Sequence, residues 1–106
     1  MKQDAVLEKF IKFSTPRALN VEKIILFGSR ARGNERPDSD YDLLLVVSEN
    51  FSRADKDVLY DAIMDTLFET GKLVSLKIMS KQRFQKLKEM RTRFFLNVLK
   101  DGKQIA

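Results

Sequence analysis

Two short blocks of this sequence combine residue types that can do phosphate and metal chemistry. The first is Phe27-Gly28-Ser29-Arg30-Ala31-Arg32-Gly33, and the second is Ser39-Asp40-Tyr41-Asp42-Leu43. In the first, an apolar run stops at Gly28 and a short helix is expected to begin at Ser29. Glycine lets a ligand approach the backbone closely. A helix start offers unpaired N–H groups and a partial positive charge, which suit phosphate. Ser29 adds a hydroxyl donor, and Arg30 and Arg32 add cations that can reach phosphate oxygens. In the second block, strand alternation puts Asp40 and Asp42 on one face and Tyr41 on the other. Two neighbouring carboxylates repel, and a bound cation relieves that cost. Mg2+ takes one or two protein carboxylates and completes its shell with phosphates and waters. Together the blocks describe one metal–triphosphate site, with Gly28, Ser29, Arg30 and Arg32 on the nucleotide and Asp40 and Asp42 on the metal.

Composition narrows the metal. There is no histidine and no cysteine, so zinc is not expected and any metal must sit on carboxylates, as Mg2+, Mn2+ or Ca2+ does. A plain polar turn at the head of a strand would also contain Asp38, Ser39, Asp40 and Asp42, but it would not explain the glycine-serine block. A calcium loop fits Asp38, Asp40, Asp42 and Glu49 at its ligand positions. It fails where Leu43 stands in place of the required glycine.

The elements that must position these residues follow from periodicity. Residues 4–13 place Val6, Leu7, Phe10 and Ile11 on one helical face, with Pro16 limiting the helix. Lys23 to Phe27 and Tyr41 to Val47 are β-rich apolar runs that read as strands. Residues 33–39 are a turn-rich loop. Ser52 to Thr70 reads as a helix, started by Ser52 with Asp55 and ended by Gly71, with a stripe of Val58, Leu59, Ala62, Ile63 and Leu67. Leu73 to Met79 is a third strand. Ser80 caps a last helical region in which Phe84, Leu87, Phe94, Phe95, Val98 and Leu99 recur at helical spacing, stopped at Asp101-Gly102. Alternating strands and helices predict an α/β (α+β) domain over residues 1–106. It would have a small mixed sheet of three to four strands with helices packed against it. At 106 residues and 43% hydrophobic, one core is affordable.

The net charge of +5 is unevenly distributed. Residues 1–71 carry 10 Lys/Arg and 13 Asp/Glu, whereas residues 72–103 carry 10 Lys/Arg and only Glu89 and Asp101 as acids. That segment is either a solvated basic face or a surface for something anionic. Nucleic acid is not expected as the partner, because Lys77, Lys81, Lys86 and Lys88 need not share a face. No apolar run is long enough to span a bilayer, and Asp4 and Glu8 interrupt the apolar N-terminus. The expectation is a cytoplasmic protein with no membrane contact.

The two blocks resemble the DNA-polymerase-β-like nucleotidyltransferases, specifically the minimal, MntA-like group. Gly28, Ser29, Ala31, Arg32 and Gly33 fit that group's first block, and Ser39, Asp40, Asp42 and Leu43 fit its second. The closing residues Phe95 to Gly102 are similar as well. The resemblance implies transfer of a nucleoside monophosphate, AMP above all, from a nucleoside triphosphate such as ATP to a hydroxyl, with Mg2+ or Mn2+. It implies a toxin–antitoxin pair with a HEPN-domain protein, in a homo- or hetero-oligomer, where a partner hydroxyl accepts AMP. Asp40 and Asp42 would bind metal and serve catalysis, Gly28 and Ser29 would hold the triphosphate, and Arg32 would order the loop.

One position departs from the pattern. Active members carry a third carboxylate on the next strand, which helps bind metal and takes the acceptor's proton. Here the matching segment is Leu73 to Met79, with Ser75 at the third position and no acid in the strand. Asp65 and Glu69 are the nearest upstream acids, on the preceding helix. Loss of a general base typically costs about 10²–10⁴-fold in rate. The chain is then slow or inactive, or a partner supplies the group, or this strand is aligned differently. An antitoxin acting by contact alone is the alternative function.

Overall fold

A computed structural model describes residues 4–14 and 20–105. The elements are α1 (Ala5–Ser14), β1 (Val21–Phe27), α2 (Ser29–Arg32), β2 (Tyr41–Val47), α3 (Arg53–Thr70), β3 (Val74–Ser80), α4 (Lys81–Met90), α5 (Arg93–Asp101) and β4 (Lys103–Gln104). Pro16 and its effect on α1 lie outside the described residues.

The strands form one mixed sheet in the order β3-β2-β1-β4. β1 runs antiparallel to both β2 and β4, and β2 runs parallel to β3. The expected sheet of three to four strands thus has four. β2 is central, which explains its unbroken apolar run. Leu43 and Leu45 face one layer, Leu44 faces the other, and all three are fully buried. Each such side chain is worth about 1.5–3 kcal/mol relative to exposure.

Two helical layers cover the sheet. On one face, Val6, Leu7 and Phe10 of α1 and Leu59, Ala62 and Ile63 of α3 pack on Leu43, Leu45 and Val47. Lys9 and Glu69 join α1 to α3 at 2.7 Å. On the other face, Phe84 and Leu87 of α4 and Phe94 and Val98 of α5 pack on Leu44, Ile25, Phe27 and Met79. α3 starts at a capping box, in which Ser52 accepts from the Asp55 N–H and Asp55 accepts from the Ser52 N–H. It ends at Gly71 in the left-handed conformation, φ 73°.

Two local features differ from the sequence reading. The single helical region after Ser80 is two helices. Arg91 takes φ 53°, and Thr92 starts α5 by accepting from the Phe95 N–H at 3.3 Å. The break lets α5 turn back over the sheet. The other feature is β4, which pairs Lys103 and Gln104 with Leu26 and Ile25 of β1. Two polar residues after a glycine carry no strand signal of their own, so tertiary pairing alone defines that element.

Candidate functional site

The site lies where β1 ends and β2 begins. Gly28 leaves β1 with φ 78° and ψ −159°, a combination essentially confined to glycine. A Cβ built there would overlap the Asp42 Oδ2 atom and lie 3.2 Å from Asp42 Cγ. The backbone at Gly28 and the Asp42 carboxyl are thus in direct apposition. α2 then turns back at once. The N–H groups of Ala31 and Arg32 donate to the Gly28 carbonyl at 3.1 and 3.2 Å. Those of Ser29 and Arg30 have no acceptor among the described residues, as expected for the start of a helix. Gly33 closes the turn with φ 79°, and its N–H donates to the Ser29 carbonyl.

Asp42 is half-buried and sits opposite Phe27 in the β1–β2 ladder. Its side chain lies on the α4–α5 face of the sheet, because its neighbours Tyr41 and Leu43 belong to the α1–α3 core. Tyr41 donates its hydroxyl to Asp4 Oδ2 at 2.7 Å, and burial together with that contact pushes its pKa up to about 12. Asp40 stands just before the strand and is exposed. Burial pushes the Asp42 carboxyl above its ordinary value, the Asp40 charge pushes it further, and the Arg32 charge partly opposes both. That response places Asp40 and Arg32 within electrostatic reach of Asp42. Among the described residues, no group of three histidines, cysteines, aspartates or glutamates could hold a metal. Oxygen donors from two aspartates beside an open backbone fit Mg2+ or Mn2+.

The two arginines have different surroundings. Arg30 donates from Nε and a terminal nitrogen to the Ser39 carbonyl at 3.1 and 2.9 Å. Its guanidinium also stacks over Tyr41, 4.1 Å from the ring centre. It therefore ties α2 to the loop that delivers Asp40. Ser39 tightens the same loop by accepting from the Arg36 N–H at 2.9 Å, and Lys72 Nζ donates to the Pro37 carbonyl. Arg32, expected to order the loop, makes no side-chain hydrogen bond to it among the described residues. It is exposed beside Gly28 and lines a cleft of about 220 Å³ with Phe27, Phe94, Asn97, Val98 and Asp101.

β3 brings Ser75 beside Asp42, because the parallel ladder pairs those two residues. Phe27, Asp42 and Ser75 thus form one row across three strands. Lys77 is one step further along the same face, its Nζ 4.6 Å from the Phe94 ring centre. Glu69, one of the nearest upstream acids, is held by Lys9 on the opposite layer. Sequence reading missed the Arg30–Ser39–Tyr41 clamp, since two arginines two residues apart give no sign of which one faces the loop. It also read Phe94 only as core. The closing segment's Asn97 and Asp101, set four apart on one helix, were the available signal for the cleft.

The sequence matches the family described as "Polymerase beta, Nucleotidyltransferase" over residues 8–106. The chain belongs to the polymerase beta nucleotidyltransferase family. A Methanocaldococcus jannaschii protein named as a candidate protein adenylyltransferase is 29% identical to this nucleotidyltransferase over 104 residues, 97% of each chain. Among solved structures, a chain of a toxin–antitoxin complex with AMP-PNP superposes with a TM-score of 0.61 at 20% identity, covering 93% of this chain and 71% of that one. A chain of an MntA–HpeT toxin–antitoxin complex with a tyrosine-to-alanine substitution gives 0.60 at 18% identity, covering 99% and 73%. At those identities the shared property is the nucleotidyltransferase fold. Among the described residues, no helix is long and apolar enough to cross a membrane.

Proposed function

We propose that this nucleotidyltransferase transfers AMP from ATP to a hydroxyl of a partner protein, with Mg2+ or Mn2+, as the antitoxin of a pair with a HEPN-domain toxin. The observation that carries the reading is the apposition of the Gly28 backbone and the Asp42 carboxyl, two residues after Asp40. The names of the relatives support the substrate classes. One is named for protein adenylylation, and one was crystallised with an ATP analogue in a toxin–antitoxin complex. A further structure of the MntA–HpeT complex carries two aspartate-to-glutamate changes separated by one residue, the spacing of Asp40 and Asp42.

In this reading Asp40 and Asp42 hold the metal, which when bound neutralises phosphate charge and polarises the transferring phosphoryl group. The backbone at Gly28 and the start of α2, with the Ser29 hydroxyl, hold phosphate oxygens. Arg32 lends positive charge from the Asp42 side, while Arg30 keeps the loop and Asp40 in place. The acceptor oxygen bonds to the α-phosphorus as the bond to the β-phosphate oxygen breaks, releasing pyrophosphate. Ser75 is no base at neutral pH, so the acceptor's proton leaves to solvent or to a group on the partner.

The test is incubation with labelled ATP, Mg2+ and the protein encoded beside it. Label on the partner is expected, and its loss is expected in Asp40→Asn with Asp42→Asn. No label with any of the four nucleoside triphosphates, from folded proteins, overturns the assignment. A second reading has one specific observation in its favour, the pairing of Asp42 with a serine and not an acid on β3. It is an antitoxin that binds nucleotide weakly or not at all and neutralises by contact. Neutralisation that survives the double asparagine variant selects this reading.

A further inference from the structure

We infer that the cleft between the end of β1 and α5 is the subsite for the nucleoside of the bound triphosphate, and that Asn97 reads an adenine base there. The inference rests on the phosphate cradle proposed above and assigns the rest of the donor.

Three observations meet at this cleft. It opens directly off Gly28, which is one of its lining residues, so a group joined to phosphates on that backbone extends into it. Its apolar walls are two aromatic rings already held in place. Phe27 and Phe94 meet edge to face at 5.6 Å, and Lys77 Nζ lies 4.6 Å from the Phe94 centre. Its polar lining is sparse and suited to a nucleoside. The Asn97 amide offers one donor edge and one acceptor edge, the pattern that pairs with adenine. It makes no hydrogen bond among the described residues, and it sits one helical turn before Asp101. The Asp101 carboxylate can accept from sugar hydroxyls.

Place separates this cleft from the others. The cleft measures about 220 Å³; another of about 280 Å³, lined by Glu22, Ser48, Glu49, Ser80, Lys81 and Gln82, lies at the opposite ends of the strands from Gly28. The larger cleft of about 660 Å³, lined by Phe51, Lys56, Tyr60 and Ile78, is at the start of α3. That is toward the far end of β2 from Asp42 and on the other face of the sheet, because Ile78 packs with the α1–α3 core.

The row Phe27–Asp42–Ser75 then acquires a direction. The nucleoside lies to the β1 side of the carboxylates, and the β3 side, where Ser75 stands, remains for the acceptor.

The experiment compares Mg2+-ATP, Mg2+-GTP and Mg2+-tripolyphosphate by titration calorimetry on the full chain and on Asn97→Ala. Alanine is the best helix former and Asn97 is exposed, so the variant keeps its fold. ATP should bind more tightly than tripolyphosphate and than GTP. Asn97→Ala should weaken ATP about tenfold, the size of one lost hydrogen-bond pair, and leave tripolyphosphate unchanged. Asn97→Asp, which removes the donor edge, should lose the preference for ATP over GTP. If tripolyphosphate binds as tightly as ATP, or Asn97→Ala leaves ATP binding intact, the nucleoside subsite is elsewhere. If tripolyphosphate does not bind the full chain at all, the phosphate cradle itself falls, and this assignment with it.

Discussion

Ser75 stands directly across the parallel β2–β3 ladder from Asp42, on the face covered by α4 and α5. That pairing makes Ser75 the β3 residue level with Asp42. An acid introduced there would join the existing pair. Ser75→Asp should therefore tighten Mn2+ binding in the presence of nucleotide and raise the transfer rate by about 10²-fold or more, the ordinary contribution of a general base. Calorimetry and a single-turnover labelling assay would show it. An unchanged rate with tighter metal binding would mean that the acceptor's proton is already removed by the partner.

Gly28 should tolerate no side chain. Its φ of 78° with ψ of −159° costs an L-residue about 1–3 kcal/mol, and a Cβ would push on Asp42. Gly28→Ala should lower unfolding stability by roughly that amount and abolish Mg2+–nucleotide binding. Urea denaturation and calorimetry on the same preparation would separate the two effects.

Asp42 carries an electrostatic cost when it is ionised. Burial and the Asp40 charge raise its pKa, so the folded protein holds this proton to a higher pH than the unfolded chain does. Its contribution to stability is full below the unfolded value and is lost as pH rises through the folded one. Without divalent metal, Asp42→Asn should raise Tm at about pH 7 and gain less at about pH 4, where the carboxyl is already partly protonated. Adding Mg2+ and ATP should raise the wild-type Tm and leave the variant's unchanged. Thermal melts across pH, with and without the ligand, test both signs.

Arg30 should be irreplaceable by lysine. Its planar fork reaches the Ser39 carbonyl twice while its face rests on Tyr41, and an ammonium cannot do both. Arg30→Lys should cost about 1–2 kcal/mol and speed amide exchange in residues 34–40. Exchange confined to wild-type rates would show that the loop is held by its internal contacts and Lys72 alone.

Much of this was legible from local pattern. β2 ends where its apolar run does, at Val47, because a central strand is apolar on both faces. The start and stop of α3 were written in Ser52, Asp55 and Gly71. The nearness of Asp42 to the glycine-serine turn was legible because the two lie at facing ends of adjacent strands. The break at Arg91 was hidden by a helical repeat that continues through it. The signal was Thr92, a good cap three residues before Phe95, but only packing against the sheet decides that a cap is used. The roles of Arg30 and Arg32 depend on which way a four-residue helix is rotated, and no periodicity can be read over so short a length.

The sheet's two margins are unequal. β4 covers part of the β1 side with two residues, beneath α5, whereas β3 presents a seven-residue margin with Ser75 near its start. A row of main-chain N–H and C=O groups on such a margin is the ordinary template for an incoming extended segment. A tyrosine or serine in a segment added alongside β3 would arrive beside Ser75, two strand spacings (about 10 Å) from Asp42, with its register set by backbone pairing. The selection of which hydroxyl is modified would then be a matter of strand alignment, with little demand on side-chain recognition.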